Sequence, residues 1–216
     1  MTAAPRYLVI EGVIGVGKTT LVEALSARLN ARTVLEVFEE NPFLEGFYAD
    51  RARYAFPTEM FFLLSRFKQQ EVFAQEDLLQ SHAVSDYLFA KCQLFASVTL
   101  SPAEYALFDN VYGVLYRHIP KPDLVVHLHA PLDVLVQRIR ARDRAYERDM
   151  STEYLDELAR RYAALFARYD DAPVLHVDTT EIDFRNESAV TWLLEHIARG
   201  ARGRIDRGTP FGTTTV

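Results

Sequence analysis

The segment Gly12-Val13-Ile14-Gly15-Val16-Gly17-Lys18-Thr19 constrains this chain more than any other stretch of it. It satisfies G-x-x-x-x-G-K-[ST], follows the apolar run Tyr7 to Glu11 directly, and leads straight into an amphipathic run from Lys18 to Asn30. A strand, a glycine-rich loop and a helix start in that order make an anion cradle. The glycines let successive backbone N–H groups face inward, and the helix start adds the positive end of its dipole. Gly12, Gly15, Val16, Gly17, Lys18, Thr19 and Thr20 are therefore the residues expected to bind the phosphates of a nucleotide, with Lys18 reaching the β- and γ-phosphates and Thr19 ligating Mg²⁺, a reading that leaves a switch, a motor and a small-molecule kinase open. A chance match in a chain of this length is roughly a one-in-a-hundred event at the usual glycine frequency.

Five short apolar runs punctuate the chain: Tyr7 to Glu11, Thr33 to Phe38, His82 to Asp86, Leu124 to His129 and Val174 to Asp178. Their Val, Leu and Ile content with little alternation suits strands buried on both faces, and helical stretches separate all of them. Helices are expected at about Lys18 to Asn30, Phe56 to Gln80, Tyr87 to Val98, Pro102 to His118, Pro131 to Arg140, Thr152 to Tyr169 and Glu187 to Arg199. The expected fold class is α/β, a five-stranded parallel sheet flanked by helices. Residues 1–199 read as a single domain, and 200–216 as a flexible tail without a core pattern.

Thirty acids against twenty-four bases give a net charge of -6, which argues against a nucleic-acid binder that needs a broad cationic face. The lone Cys92 excludes an internal disulfide, no apolar run reaches the ~18 residues of a spanning helix, and Met1 to Arg6 lacks a signal-peptide pattern. The expected location is the cytoplasm, with no membrane partner.

In a doubly wound sheet the ligand sits beyond the carboxyl ends of the strands. That rule aims Glu36 and Asp86, which close the second and third apolar runs, at the phosphates, with Asp86 a second Mg²⁺ ligand. The alternative for Asp86 is a helix N-cap before Tyr87, and the tandem Glu39-Glu40 reads as a solvated loop edge. After the fourth run, Arg138, Arg140, Arg142, Arg144 and Arg148 crowd into eleven residues of an acidic protein. They read as a lid at about 141–150 that carries guanidinium groups onto a transferring phosphoryl group, against the plainer reading of an exposed basic helix end.

With these pieces placed, the chain resembles the deoxynucleoside kinase family of P-loop kinases, in particular its small bacterial deoxyadenosine and deoxyguanosine kinases. The resemblance runs from about Tyr7 to Phe184. It is carried by Ile10 to Thr20, Glu39-Glu40-Asn41-Pro42-Phe43-Leu44 with Phe47-Tyr48, Phe61 to Arg66, Ser85 to Lys91, Ile119 to Val126 and the arginine lid. It implies phosphorylation of a deoxynucleoside in nucleotide salvage, with ATP and Mg²⁺ as cofactors. Residue by residue it implies Glu36 as general base, Tyr48 and Glu147 on the sugar 3′-hydroxyl, and Arg138, Arg142 and Arg144 as lid arginines; Phe62, in the aromatic run Phe56, Phe61, Phe62 and Phe67 that mostly reads as core, is expected to flank the base. Asp86 matches the acid of an Asp/Glu-Arg-Ser motif, but Tyr87 stands where the family has arginine, and Val37 where it has proline.

The base pocket departs further. Glu59 falls at the family's base-reading glutamine and Cys92 where purine kinases often have aspartate, while Arg66 matches the purine-side arginine. A carboxylate accepts two hydrogen bonds and donates none, so Glu59 complements guanine's N1–H and N2–H₂ and opposes adenine's N1 acceptor. Deoxyguanosine is thus expected ahead of deoxyadenosine, unless Glu59 pairs with Arg66. Two other readings stay open: a nucleoside monophosphate kinase such as thymidylate kinase, and a nucleotide-binding regulatory subunit of a kinase heterodimer. Surplus aromatic and leucine residues at Phe61 to Phe73 and Tyr105 to Tyr116, together with the resemblance, imply a homodimer, with pairing to a related kinase subunit left open. His127 and His129 read as structural histidines.

Overall fold

The computed structural model describes residues 5–38, 40–76, 82–144, 147 and 150–206. Within them six strands form one parallel sheet: β1 (Tyr7–Glu11), β2 (Arg32–Val34), β3 (Ala83–Ser85), β4 (Leu124–His129), β5 (Val174–Asp178) and β6 (Gly203–Ile205), in the order β2-β3-β1-β4-β5-β6. Helices α1 (Lys18–Leu29), α2 (Leu44–Ala49), α3 (Arg51–Glu76), α4 (Lys91–Thr99), α5 (Pro102–Tyr116), α6 (Leu132–Arg142), α7 (Thr152–Phe166) and α8 (Glu187–Ala198) connect and flank them. All five residues of β1 are buried, which is why it reads as an unbroken apolar run, whereas β5, nearer the edge, alternates between buried and half-buried positions.

The sixth strand corrects the expectation of five. It pairs with β5, Leu175 opposite Gly203 and Val177 opposite Ile205, inside the stretch that reads as a tail. Only Ile205 of its three residues is buried, too few for a periodic pattern. Residues 207–216 lie outside the described residues.

The second strand is shorter than its apolar run. It stops at Val34 because the next ladder donor is diverted: the Glu36 N–H donates to Asp86 Oδ1 at 2.7 Å. Likewise α4 starts at Lys91 rather than Tyr87, since the Ser85 hydroxyl bonds both the N–H and the carbonyl of Tyr87 and holds that segment in a turn. Asp86 therefore caps no helix. The helix expected from Phe56 starts five residues earlier, at Arg51, and encloses Pro57, whose ring forfeits only the bond to the Arg53 carbonyl. Two starts follow the sequence signals: Ser101 and Glu104 form a reciprocal capping box on α5, and Ser151 Oγ accepts from the Tyr154 N–H on α7.

The main core lies on both faces of the sheet, from Leu8, Val9 and Ile10 through Leu124 and Val126 to Leu158 and Leu193. A second cluster of Leu63, Phe89, Cys92, Ala96, Phe108 and Tyr112 joins α3, α4 and α5. That second core makes a rigid wall beside the carboxyl ends of β1, β2 and β3. The wall carries Glu59, Arg66, Lys91 and Thr99.

Candidate active site

The phosphate loop is fixed by its own glycines and by one buried acid. Gly12 has φ 150°, and a Cβ there would stand 2.3 Å from the Leu128 carbonyl oxygen, so no other residue lets β1 leave the sheet so close to β4. Gly17, at φ 102°, turns the chain into α1. Glu11 is fully buried; its Oε1 accepts from the Gly12 N–H at 2.8 Å and the Tyr162 hydroxyl at 3.0 Å, and its Oε2 accepts from the Leu88 N–H at 2.8 Å. One carboxylate thus ties the loop to α7 and to the turn after β3. Lys18 Nζ folds back onto the Gly12 and Val13 carbonyls at 2.7 and 3.2 Å. Burial and the neighbouring Lys91 push its ammonium down to about 8.

Asp86 joins three strand ends. Its Oδ2 accepts from the Thr19 hydroxyl at 3.0 Å while Oδ1 holds the Glu36 N–H. Burial pushes its carboxyl up, against the pull of that backbone bond. Glu36 is gripped from two sides. Oε1 accepts from Arg66 Nε at 2.8 Å and from Arg66 Nη2, and Oε2 accepts from Lys91 Nζ at 2.9 Å. Burial alone would raise this carboxyl, but the two cations outweigh it and hold Glu36 well below the usual carboxylate range.

Glu59 is 3% exposed and lines the same cavity. It does not pair with Arg66, which is committed to Glu36 and, through Nη1, to Cys92 Sγ at 3.1 Å. Its partner is Thr99, whose Oγ1 lies 2.9 Å from Glu59 Oε1 and 3.0 Å from the Phe95 carbonyl. One hydroxyl proton serves two acceptors there. Burial, only partly offset by Arg66, pushes the Glu59 carboxyl up to about 7. The Arg66 guanidinium stacks on Phe62 with 4.8 Å to the ring centroid.

The end of α6 closes the cavity. Arg142 donates to both oxygens of the buried Glu147, from Nη2 at 2.7 and 2.6 Å, and Arg144 lies over Phe38 at 4.5 Å. The residues around Glu147, namely 145, 146, 148 and 149, lie outside the described residues, as does Glu39; Glu40 is exposed.

One cavity therefore brings together Gly15, Lys18, Thr19, Glu36, Tyr48, Glu59, Phe62, Arg66, Asp86, Arg142, Arg144 and Glu147. Gly12, Val16, Gly17 and Thr20 belong to the phosphate loop and the start of α1 without lining that cavity, and two further expected site residues are placed elsewhere. Arg138 turns to the end of β5, donating to Thr179 Oγ1 at 3.1 Å and to the Thr179 carbonyl at 2.6 Å. Cys92 stays in the second core behind Arg66. Tyr87, at the family's arginine position, is wholly buried in the main core. Three further cavity or partner residues carry weaker sequence signals: Lys91, a lone charge within an apolar run; Thr99; and Tyr154, which lines the cavity beneath the Arg51 guanidinium at 4.0 Å. The histidines on β4 face β5, with His127 Nδ1 3.0 Å from His176 Nδ1. Among the described residues no group of three His, Cys, Asp or Glu side chains is arranged to hold a metal ion.

A sequence model of deoxynucleoside kinases matches residues 8–198. A deoxyguanosine kinase of Bacillus subtilis is 35% identical over 203 residues, covering 91% of this chain and 98% of its own length. A deoxyadenosine/deoxycytidine kinase of the same organism is 30% identical over 198 residues, covering 88% and 91%. Among solved structures, a deoxyadenosine kinase from M. mycoides with products dCMP and dCDP bound shares the fold at a TM-score of 0.79, with 23% identity, 89% of this chain and 98% of that one covered.

Proposed function

The chain belongs to the deoxynucleoside kinase family, and from that membership we propose that it transfers the γ-phosphoryl group of ATP to the 5′-hydroxyl of a purine deoxynucleoside, deoxyguanosine ahead of deoxyadenosine. Family membership removes the monophosphate-kinase reading. Its relatives differ in the base they are named for, so the base preference rests on one observation: Glu59 is buried in the cavity lining with Oε1 on Thr99 and no hydrogen bond to Oε2 among the described residues. Held there, an ionised carboxylate accepts from guanine N1–H and N2–H₂, and the two N–H donors that Arg66 has left can meet O6.

In the reaction the 5′-oxygen bonds to the γ-phosphorus, the bond from that phosphorus to ADP breaks, and the hydroxyl proton passes to Glu36. A carboxylate held so strongly in its ionised form is a weak base. It suffices because a loose phosphoryl transition state keeps the hydroxyl proton until late, so Glu36 mainly orients the nucleophile. Thr19 Oγ1 and Asp86 Oδ2, 3.0 Å apart at the loop mouth, are hard oxygen donors that fit Mg²⁺, an ion that takes few protein ligands and completes its shell with phosphate and water. Bound there, the ion would neutralise charge on the β- and γ-phosphates. Lys18 and the lid arginines Arg142 and Arg144 supply the remaining positive charge.

The test is kcat/KM for the four natural deoxynucleosides, in wild type and Glu59→Gln. Deoxyguanosine should lead in wild type, and the glutamine, which offers both a donor and an acceptor, should lift deoxyadenosine relative to it. At pH 8, where the Glu59 carboxyl is mostly ionised, an adenine N1 facing it costs ~1 to 3 kcal/mol, which is about one to two decades in the ratio. A wild type that prefers deoxyadenosine or deoxycytidine, or a ranking untouched by Glu59→Gln, would sink the assignment.

A further inference from the structure

The lone pairs of Glu36 are nearly all spoken for, and what is left defines where the sugar hydroxyl must arrive. Each carboxylate oxygen accepts about two hydrogen bonds. Oε1 takes two, from Arg66 Nε and Nη2, and Oε2 takes one, from Lys91 Nζ. The vacant acceptor position is therefore on Oε2, on the oxygen that Lys91 already holds.

Lys91 is 4% exposed, lines the cavity together with Lys18 and Asp86, and is the first residue of α4. Its ammonium has three N–H donors. One is on Glu36, and neither of the others has a partner among the described residues. The ammonium also lies over the Phe95 ring, 5.4 Å from its centroid, and the carboxylate keeps it charged in spite of burial. A nucleophile bonded to Glu36 Oε2 thus lies next to a fixed positive charge with donors to spare. Tyr87, a phenol packed in the core, has no positive charge to offer there.

We propose that Lys91 is the positioning residue of phosphoryl transfer in this chain: it fixes Glu36 so that only Oε2 can take the 5′-hydroxyl proton, and it sets its ammonium beside the 5′-oxygen where the phosphoryl group arrives. The inference rests on Glu36 being the acceptor of that proton. It predicts an effect on turnover rather than on binding, because the deoxynucleoside base and the ATP phosphates have their own contacts at Glu59 and at the loop.

Lys91→Met, Lys91→Arg and Glu36→Gln are made in the full chain, and kcat and KM are measured with deoxyguanosine and ATP beside equilibrium binding of both. Lys91→Met should lower kcat by two to three decades, about the range of a general-base or electrostatic contribution, while KM and both binding constants move less than about threefold. Lys91→Arg, which restores the charge, should recover at least a tenth of the wild-type kcat. Loss in Lys91→Met that arginine does not recover, or that appears equally in binding, makes Lys91 a packing residue and overturns the proposal. So does a Lys91→Met kcat within about threefold of wild type beside an inactive Glu36→Gln. A Glu36→Gln protein that keeps near-normal turnover overturns the underlying assignment of Glu36 instead. Unfolding of Lys91→Met is read from its melting curve, in which case Lys91→Gln, closer in polarity, takes its place with the same outcomes.

Discussion

At pH 7 the Glu59 carboxyl stands close to its own midpoint, because burial lifts it to about 7. The groups that face it are Arg66 on its own helix, Thr99 on α4, Tyr154 on α7, Tyr48 on α2, and, farther off, Glu36 and Lys91. The single Thr99 proton fits either state: it bonds the ionised carboxylate, or it turns to the Phe95 carbonyl while a protonated carboxyl donates to Thr99. The ionised form suits guanine, and only the protonated form can offer a donor to adenine N1. Above the midpoint guanine therefore gains, and below it adenine gains. Because kcat/KM reports groups of the free enzyme, the deoxyguanosine to deoxyadenosine ratio should rise by about tenfold or more between pH 6 and 8, and Glu59→Gln should abolish the slope. A flat ratio in wild type would show that the carboxyl does not titrate against the base. At this scale the sequence is informative where position on a strand decides direction: Glu36 and Asp86 close their runs on the side of the phosphate loop, and the sheet leaves them little choice. Lys91 and Thr99 escape such reading, since their aim depends on where α4 begins, and that is set by the Ser85 turn. Arg138 misleads for a related reason: its place on a basic helix end says nothing of Thr179 across the sheet.

Among the elements, the junction of β1, the turn after β3 and α7 hangs on Glu11. All three of its bonds come from donors, two backbone N–H groups and the Tyr162 hydroxyl. In Glu11→Gln one oxygen becomes an NH₂ that must face a donor, leaving buried polar groups unmatched at a cost of ~1 to 3 kcal/mol. Urea unfolding should show a lower midpoint for Glu11→Gln, with weaker ATP binding because the loop loses its anchor. Tyr162→Phe, which removes one neutral partner, should lose less, ~1 kcal/mol. Equal stability of Glu11→Gln and wild type would mean that the loop holds itself. The long elements are legible in the sequence for a physical reason: two-sided burial writes β1 and β4 as dense apolar runs, broken only by Glu11, His127 and His129, and Ser101 and Ser151 announce α5 and α7. Short ones are not. Helix α2, of six residues, and β6, of three, are too brief for any period to appear. The trimming of β2 to three residues follows from a side chain fifty positions away taking the Glu36 N–H.

For the whole molecule, the placement of exposed apolar side chains argues for a second copy. Among the described residues the large hydrophobic side chains left exposed are Leu64 at 51% and Val72 at 40% on α3, and Leu107 at 56% and Val114 at 62% on α5. Leu107 and Val114 are seven apart and Leu64 and Val72 eight apart, so each pair forms one stripe along its helix. The inward faces of the same helices are already spent on the second core, through Leu63, Phe108 and Tyr112. Two adjacent stripes on neighbouring helices make a patch of the kind that self-complementary dimers bury about a twofold axis. None of the four side chains lines the cavity that holds Glu59, Arg66 and Lys91, so pairing through them would leave that cavity uncovered. The purified chain should therefore have twice its monomer mass by light scattering at micromolar concentration. Leu107→Glu with Val114→Glu places two carboxylates in that face and should yield monomers that still bind ATP, since neither residue touches the phosphate loop. A wild-type chain of monomer mass, or a double variant that stays dimeric, would move the interface elsewhere or remove it.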